Sequence, residues 1–325
     1  MTSKSTRRAF LGKAGIGLGA VALGGTSPRL LAAEGELPVI DTHTHFYDPT
    51  RPQGVPWPPK SDRVLYRKVM PADYRALPQP RPVAGTVVIE ASEWPEDNQW
   101  ILDLAANDPF IVGFIGHLSI ASDDFSKHLE RFGKNGLFRG IRIGGDAVQS
   151  ALAGGVALKN LQLLGERDLC LDLLVGPNLL LEVTRLARRL PGLRILVDHV
   201  ANVHIDGKAP ETTWTSGMKA AGGCENLYCK VSGLVEGSGR REGRAPSDPE
   251  FYRPVLDGIW EAFGADRLVY GSNWPVSEVF APCGTVQAIA SAYFGEKGGE
   301  AWNKCFHLNS KAFYKWVERK PGQKR

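Results

Sequence analysis

No run of roughly twenty strongly apolar residues, the length a membrane-spanning helix needs, occurs in the chain. Cysteine is scarce and unpatterned. Cys170, Cys224, Cys229, Cys283 and Cys305 show no C-x-x-C spacing, which argues against a zinc–thiolate site or a dithiol redox centre. Their number is odd, so an oxidising compartment would leave at least one thiol free. Cys170 and Cys229 lie in apolar strand-like runs and read as buried packing residues, while a disulfide stays open. No glycine-rich dinucleotide loop follows the first apolar strand, which disfavours an open doubly wound nucleotide-binding sheet.

A surplus of one charge is also lacking once the leader is set aside. The 325 residues carry a formal net charge of +4. Residues 1–33 contain Lys4, Arg7, Arg8, Lys13 and Arg29 and no acid, and the remainder has 34 basic against 35 acidic residues, a net of −1. That balance gives no electrostatic case for nucleic acid or an anionic membrane surface. The leader itself, with paired Arg7-Arg8, a weakly apolar Gly/Ala run and Ala32-Ala33, reads as a twin-arginine export signal cleaved near Ala33. The mature protein is then expected outside the cytoplasm, periplasmic or extracellular, as a soluble enzyme with no stable membrane insertion.

What is present is a rhythm. Apolar runs occur at 37–45, 85–92, 110–118, 138–144, 169–176, 193–200, 227–233 and 267–273. Each is short, rich in Val, Ile and Leu and apolar on both faces, as buried parallel strands are. Stretches with apolar residues at three- and four-residue intervals separate most of them, several opening on Asp or Asn and ending near Gly. Eight strand–helix repeats over residues 34–325 predict a single α/β domain, a distorted (β/α)₈ TIM barrel. Residues 46–84 break the alternation. They are rich in Pro, Arg and Trp, and as a loop following strand 1 they are expected to cover the active-site face.

Chemistry-bearing residues fall at predicted strand ends. Asp41, His43 and His45 are spaced by two and are expected to share one side of strand 1. His43 and His45 suit a metal ion or an anionic substrate. His199 ends strand 6, and alternation sends its neighbour Asp198 toward the helix layer. Glu90 ends strand 2, and Arg142, a charge in an apolar strand, calls for an anionic partner. Lys230 lies in strand 7 with Ser232 on its face, His117 near the end of strand 3, and Asn273 on strand 8. From the long loop, Trp57, Arg63 and Arg67 are candidates to touch substrate. His128, His204 and His307 read as structural or solvent-facing.

Taken in order, "VIDTHTHFYDP", "EASEWPEDNQWILDLA", "GIRI", "LVDHVAN", "NLYCKVSGL", "RLVYGSNWPV" and "LNSKAFY" resemble the amidohydrolase superfamily. The likeness is to its amidohydrolase-related ("amidohydrolase 2") branch, with its sugar-lactonase and pyrone-dicarboxylate-lactonase members. The resemblance implies hydrolysis of an ester, lactone or amide. It also implies, in metal-dependent members, an ion held by the strand 1 H-x-H, a strand 5 histidine and a strand 8 aspartate. In those members a strand 6 histidine assists; His43 and His45 match the H-x-H, and His199 matches that strand 6 histidine. Strand 5, "CLDLLVG", has no histidine, and Asn273 stands in place of the aspartate.

Three readings follow. The first is a hydrolase opening a lactone or similar cyclic ester of a sugar acid without metal. In it His43, His45 and His199 polarise the carbonyl, His199 or Glu90 acts as base, Asn273 places water, and Arg142, Lys230, His117 and Trp57 hold substrate. The second is a zinc- or manganese-dependent hydrolase or decarboxylase with His43 and His45 among the ligands. The third is a non-catalytic barrel that binds a sugar acid. All three expect a small-molecule partner and leave the oligomeric state open.

Overall fold

The computed structural model describes residues 37–323, so the predicted signal at 1–33 lies outside the described residues. Eight parallel strands follow one another in sequence order: β1 Val39–Thr44, β2 Val83–Ile89, β3 Ile111–Gly116, β4 Phe138–Gly144, β5 Cys170–Leu174, β6 Arg194–Val197, β7 Leu227–Val231 and β8 Leu268–Tyr270. The ring closes just past the last strand, where Thr44 pairs with Trp274 and His45 N–H donates to the Trp274 carbonyl at 2.9 Å. The expected α/β barrel is therefore the fold observed. The strand 2 prediction starts two residues late, since the strand begins at Val83, which already pairs with Val39.

Helices Pro95–Asn107, Phe125–Gly133, Leu180–Arg189, Thr212–Gly222, Arg253–Phe263 and Cys283–Glu296 cover the outside, and two, Gly145–Ala153 and Gly155–Glu166, connect β4 to β5. Residues 46–82 form the excursion predicted from composition and include the short helix Pro71–Ala76. All five cysteines are buried and free, so they pack rather than cross-link. No helix among the described residues is long and apolar enough to cross a membrane.

Two apolar cores result. One fills the space between strands and helices. The other fills the barrel and contains Ile40, Val87, Ile89, Val112, Ile115, Leu196 and Val269 together with Phe313, Tyr314 and Trp316 from the C-terminal segment. Those three aromatics stopper the end where the strands begin. Arg139 Nε donates to the Tyr314 carbonyl at 2.9 Å, and Arg194 Nε to the Phe313 carbonyl at 2.7 Å. The bottom of the barrel is thus sealed by chain from beyond β8, and the open face lies at the strand C-termini.

Candidate active site

A cavity of about 670 Å³ opens on that face, lined among others by His45, Trp57, Glu90, Arg142, His199, Glu236 and Asn273. Six of these seven were singled out from sequence. Glu236 was not.

Strand 1 supplies the histidines, but not as simple alternation predicts. Its register slips between Asp41 and Thr44, which turns Asp41 away from the histidines. Asp41 accepts from Tyr74 Oη at 2.5 Å and from the Ser272 backbone N–H at 2.9 Å, anchoring the helix Pro71–Ala76. His45 reaches the cavity. Its Nδ1 lies 3.0 Å from the Ile89 carbonyl, and a carbonyl only accepts, so Nδ1 carries the proton. Burial, reinforced by Arg142, pushes its pKa down to about 3, so the ring is neutral and its Nε2 is a lone pair. That nitrogen stands 3.3 Å from Asn273 Oδ1. Two acceptors facing each other call for a donor from the cavity, either water or a substrate hydroxyl.

His43 sits one layer deeper, with no exposed surface. Its neighbour Lys230 is equally buried, which corrects the expectation that Lys230 touches substrate. The ammonium is enclosed by Asp172 Oδ2 at 2.7 Å, Asp198 Oδ1 at 2.8 Å and His43 Nδ1 at 3.1 Å. The contacts to Asp172 and His43 are hydrogen bonds, and Asp198 adds an ion pair. Burial alone would strip the lysine of its proton, but the two carboxylates hold it on and raise the pKa. Because His43 Nδ1 accepts from an ammonium, the ring proton lies on Nε2. That atom is buried and has no protein partner.

Strand 6 brings a second correction. It ends at Val197, and Asp198 follows Leu196 into the barrel interior rather than the helix layer. The next four residues, His199 to Asn202, all have positive φ, between 45° and 59°. This left-handed run swings His199 into the cavity, where its Nδ1 meets Ser232 Oγ at 2.8 Å and its ring lies 4.4 Å from that of His43. Burial lowers its pKa to about 4, so it is neutral and a weaker base than an ordinary histidine.

Arg142 and Glu90 line the cavity as a pair: Nε donates to Glu90 Oε1 at 2.9 Å and Nη2 to the Glu90 carbonyl at 2.8 Å. The anionic partner predicted for Arg142 is therefore Glu90, and that carboxylate is engaged rather than free to act as base. Trp57 edges over His45, with ring centroids 5.8 Å apart. His117 does not line the cavity; its backbone N–H and carbonyl are both taken by the Asn98 amide, and it belongs to the strand 3 exit. Arg67 pairs with Glu278 and Arg63 is exposed; neither lines the cavity.

Glu236 stands on the one-turn helix Leu234–Gly237 that follows β7. Asn273, itself at φ 56°, donates from Nδ2 to Glu236 Oε1 at 2.8 Å. The other oxygen, Oε2, is buried without a protein partner. Burial drives the Glu236 pKa up to about 7 against the pull of the Asn273 amide. Gly233 makes this approach possible. It has φ +66°, and a Cβ there would stand 2.5 Å from His199 Cβ.

His43, Asp198 and His199 offer ligand atoms all within 4.8 Å of one another, so a divalent ion has a possible histidine–carboxylate seat. Loading it would require His43 to move its proton to Nδ1, next to Asp198, and would bring the ion near the Lys230 ammonium.

The amidohydrolase family profile matches residues 40–316. The L-fucono-1,5-lactonase of Burkholderia ambifaria is 31% identical over 265 residues, covering 81% of this chain and 84% of that protein. Among solved structures, an amidohydrolase from Burkholderia multivorans with bound zinc superposes with a TM-score of 0.75 at 20% identity, covering 86% of this chain and 99% of that one. A probable 2-pyrone-4,6-dicarboxylic acid hydrolase from Acinetobacter baumannii with citric acid bound gives 0.65 at 16% identity, covering 86% and 100%. The barrel, the strand-end histidines and a profile spanning nearly all the described residues lead to one conclusion: the chain belongs to the amidohydrolase family.

Proposed function

We propose that this amidohydrolase opens the lactone ring of a sugar acid, most simply a six-membered 1,5-lactone, and needs no metal to do so. The observation that carries this reading is the proton inventory of the cavity. Its histidines are neutral, its largely buried cationic clamp is Arg142 braced by Glu90, and His45 Nε2 and Asn273 Oδ1 are paired acceptors suited to sugar hydroxyls. Trp57 supplies an aromatic edge for the ring. Donors aimed at a developing oxyanion are worth about 10²–10³ in rate, which suits an already activated ester better than an amide. The activity named for the Burkholderia ambifaria relative supports the same substrate class.

A second reading keeps a divalent ion. His43, Asp198 and His199 would hold it, and it would polarise the scissile carbonyl as a Lewis acid. The zinc-bound structural neighbour favours it; the Lys230 ammonium beside Asp198 opposes it.

A panel of sugar-acid lactones assayed by proton release, with and without chelator, separates the readings. Turnover unchanged by chelation is expected. Activity that disappears with chelation and returns with zinc or manganese would replace the first reading by the second. Thermal stabilisation by sugar acids without turnover of any lactone would indicate a binding barrel. Export rests on Arg7-Arg8 and the Ala32-Ala33 site, and the N-terminal sequence of protein recovered from a periplasmic extract tests it.

A further inference from the structure

Lactone opening needs a group that takes a proton from water and later gives one to the departing ring oxygen. None of the residues selected from sequence does this well. His45 has its N–H tied to the Ile89 carbonyl, and its Nε2 is a very weak base. His199 is lowered to about 4, and Glu90 is braced against Arg142.

Resting on the lactonase reading, we infer that Glu236 is the general acid–base of this site and that Asn273 holds it in position. Three observations carry the inference. Glu236 lines the cavity. Its Oε1 is fixed by the Asn273 amide at 2.8 Å, which leaves Oε2 as a buried oxygen with no protein partner. The donor is neutral, so it serves the carboxylate and the carboxylic acid alike, whereas an aspartate at 273 would repel the first.

The step balances with water alone. The water oxygen bonds to the lactone carbonyl carbon, its proton passes to Glu236 Oε2, and the carbonyl π pair becomes the oxyanion. Collapse of the oxyanion breaks the bond from carbon to ring oxygen, and the Glu236 proton goes to that oxygen. A hydroxy acid leaves and the carboxylate is restored. The groups bearing charge or titrating around this cavity are Arg142 with Glu90, Glu93, Arg241, His45 and His199, and Tyr252 lies close enough to sense the Glu236 charge. Among the cavity-lining groups with a resolved value, Glu236 at about 7 is the one that changes charge near neutrality.

The test compares wild type, Glu236→Gln and Glu236→Ala on one sugar-acid 1,5-lactone across pH 4 to 9. Wild-type kcat is expected to rise with pH through about 7, because the base must be ionised. Glu236→Gln is expected to lose 10²–10⁴ in kcat with KM within about threefold, and to lose the limb near 7. Formate is expected to restore part of the Glu236→Ala rate, a rescue that a purely structural role would not give. Folded variants, checked by thermal unfolding, that keep kcat within threefold and the limb in place would overturn the inference while leaving the lactonase reading standing. A wild type that opens no lactone would overturn that reading, and this role with it.

Discussion

Asn273 Nδ2 and Glu236 Oε1 are 2.8 Å apart, and the same amide presents its oxygen to His45. An aspartate at 273, which the family resemblance leads one to expect, would place a second carboxylate against Glu236. Two carboxylates at that distance do not both ionise, so one pKa rises strongly. Asn273→Asp is therefore expected to move the acid limb of the pH–rate profile upward by a unit or more and to cut activity at pH 7 about tenfold or more. A profile superimposable on wild type would show that the two side chains do not interact. Lys230 is a second residue-scale case. Lys230→Met removes the cation from between Asp172 and Asp198 and is expected to cost about 3–5 kcal/mol in urea unfolding, since it strands buried carboxylates.

The turns after β6 and β7 are elements whose backbone does the positioning. Four consecutive left-handed residues carry His199 inward, and Gly233 at φ +66° lets the β7 exit pass against its Cβ. Gly233→Ala imposes left-handed strain of about 1–2 kcal/mol and a clash besides. It is expected to lower the melting temperature by several degrees and kcat by more than tenfold through displacement of His199. A variant as active and as stable as wild type would show that the turn tolerates a side chain.

These turns also mark where sequence reading stopped working. Strand existence was legible because each run is apolar on both faces, and the histidines, Arg142 and Asn273 were legible as polar residues ending such runs. Asp198 was misjudged because alternation was anchored on His199, which lies two residues past the end of β6 and is turned inward by the left-handed run. Asp41 was misjudged because a register slip has no signature in "VIDTHTH". Glu236 went unnoticed because its helix, Leu234–Gly237, is a single turn, too short to show any periodicity. A lone acid between Val235 and Gly237, three residues after the β7 exit glycine Gly233, was the available signal.

At the scale of the whole molecule, the barrel holds an ionic layer between two very different ends. Above it lies the cavity. Below it lie Phe313, Tyr314 and Trp316, with Tyr314 Oη donating to Asp172 Oδ2 at 2.8 Å. The C-terminal segment therefore completes both the apolar core and the hydrogen bonding of the Asp172–Lys230–Asp198 cluster. Deleting residues from 309 onward is expected to abolish the cooperative urea transition followed by tryptophan fluorescence. Losing each large buried aromatic costs about 3–5 kcal/mol, and a domain's entire stability is about 5–15 kcal/mol. A truncated protein that unfolds with an unchanged midpoint would refute the stopper.

That stopper also has a consequence for how the protein is made. Phe313, Tyr314 and Trp316 are synthesised after all eight strands, so a nascent chain that already contains the complete barrel still has an open base and a buried charge cluster short of one hydrogen bond. Completion of the fold is thereby deferred until the ribosome has passed the catalytic sequence. An interrupted translation product, however long its barrel, would present an unfinished interior for chaperones and proteases to recognise.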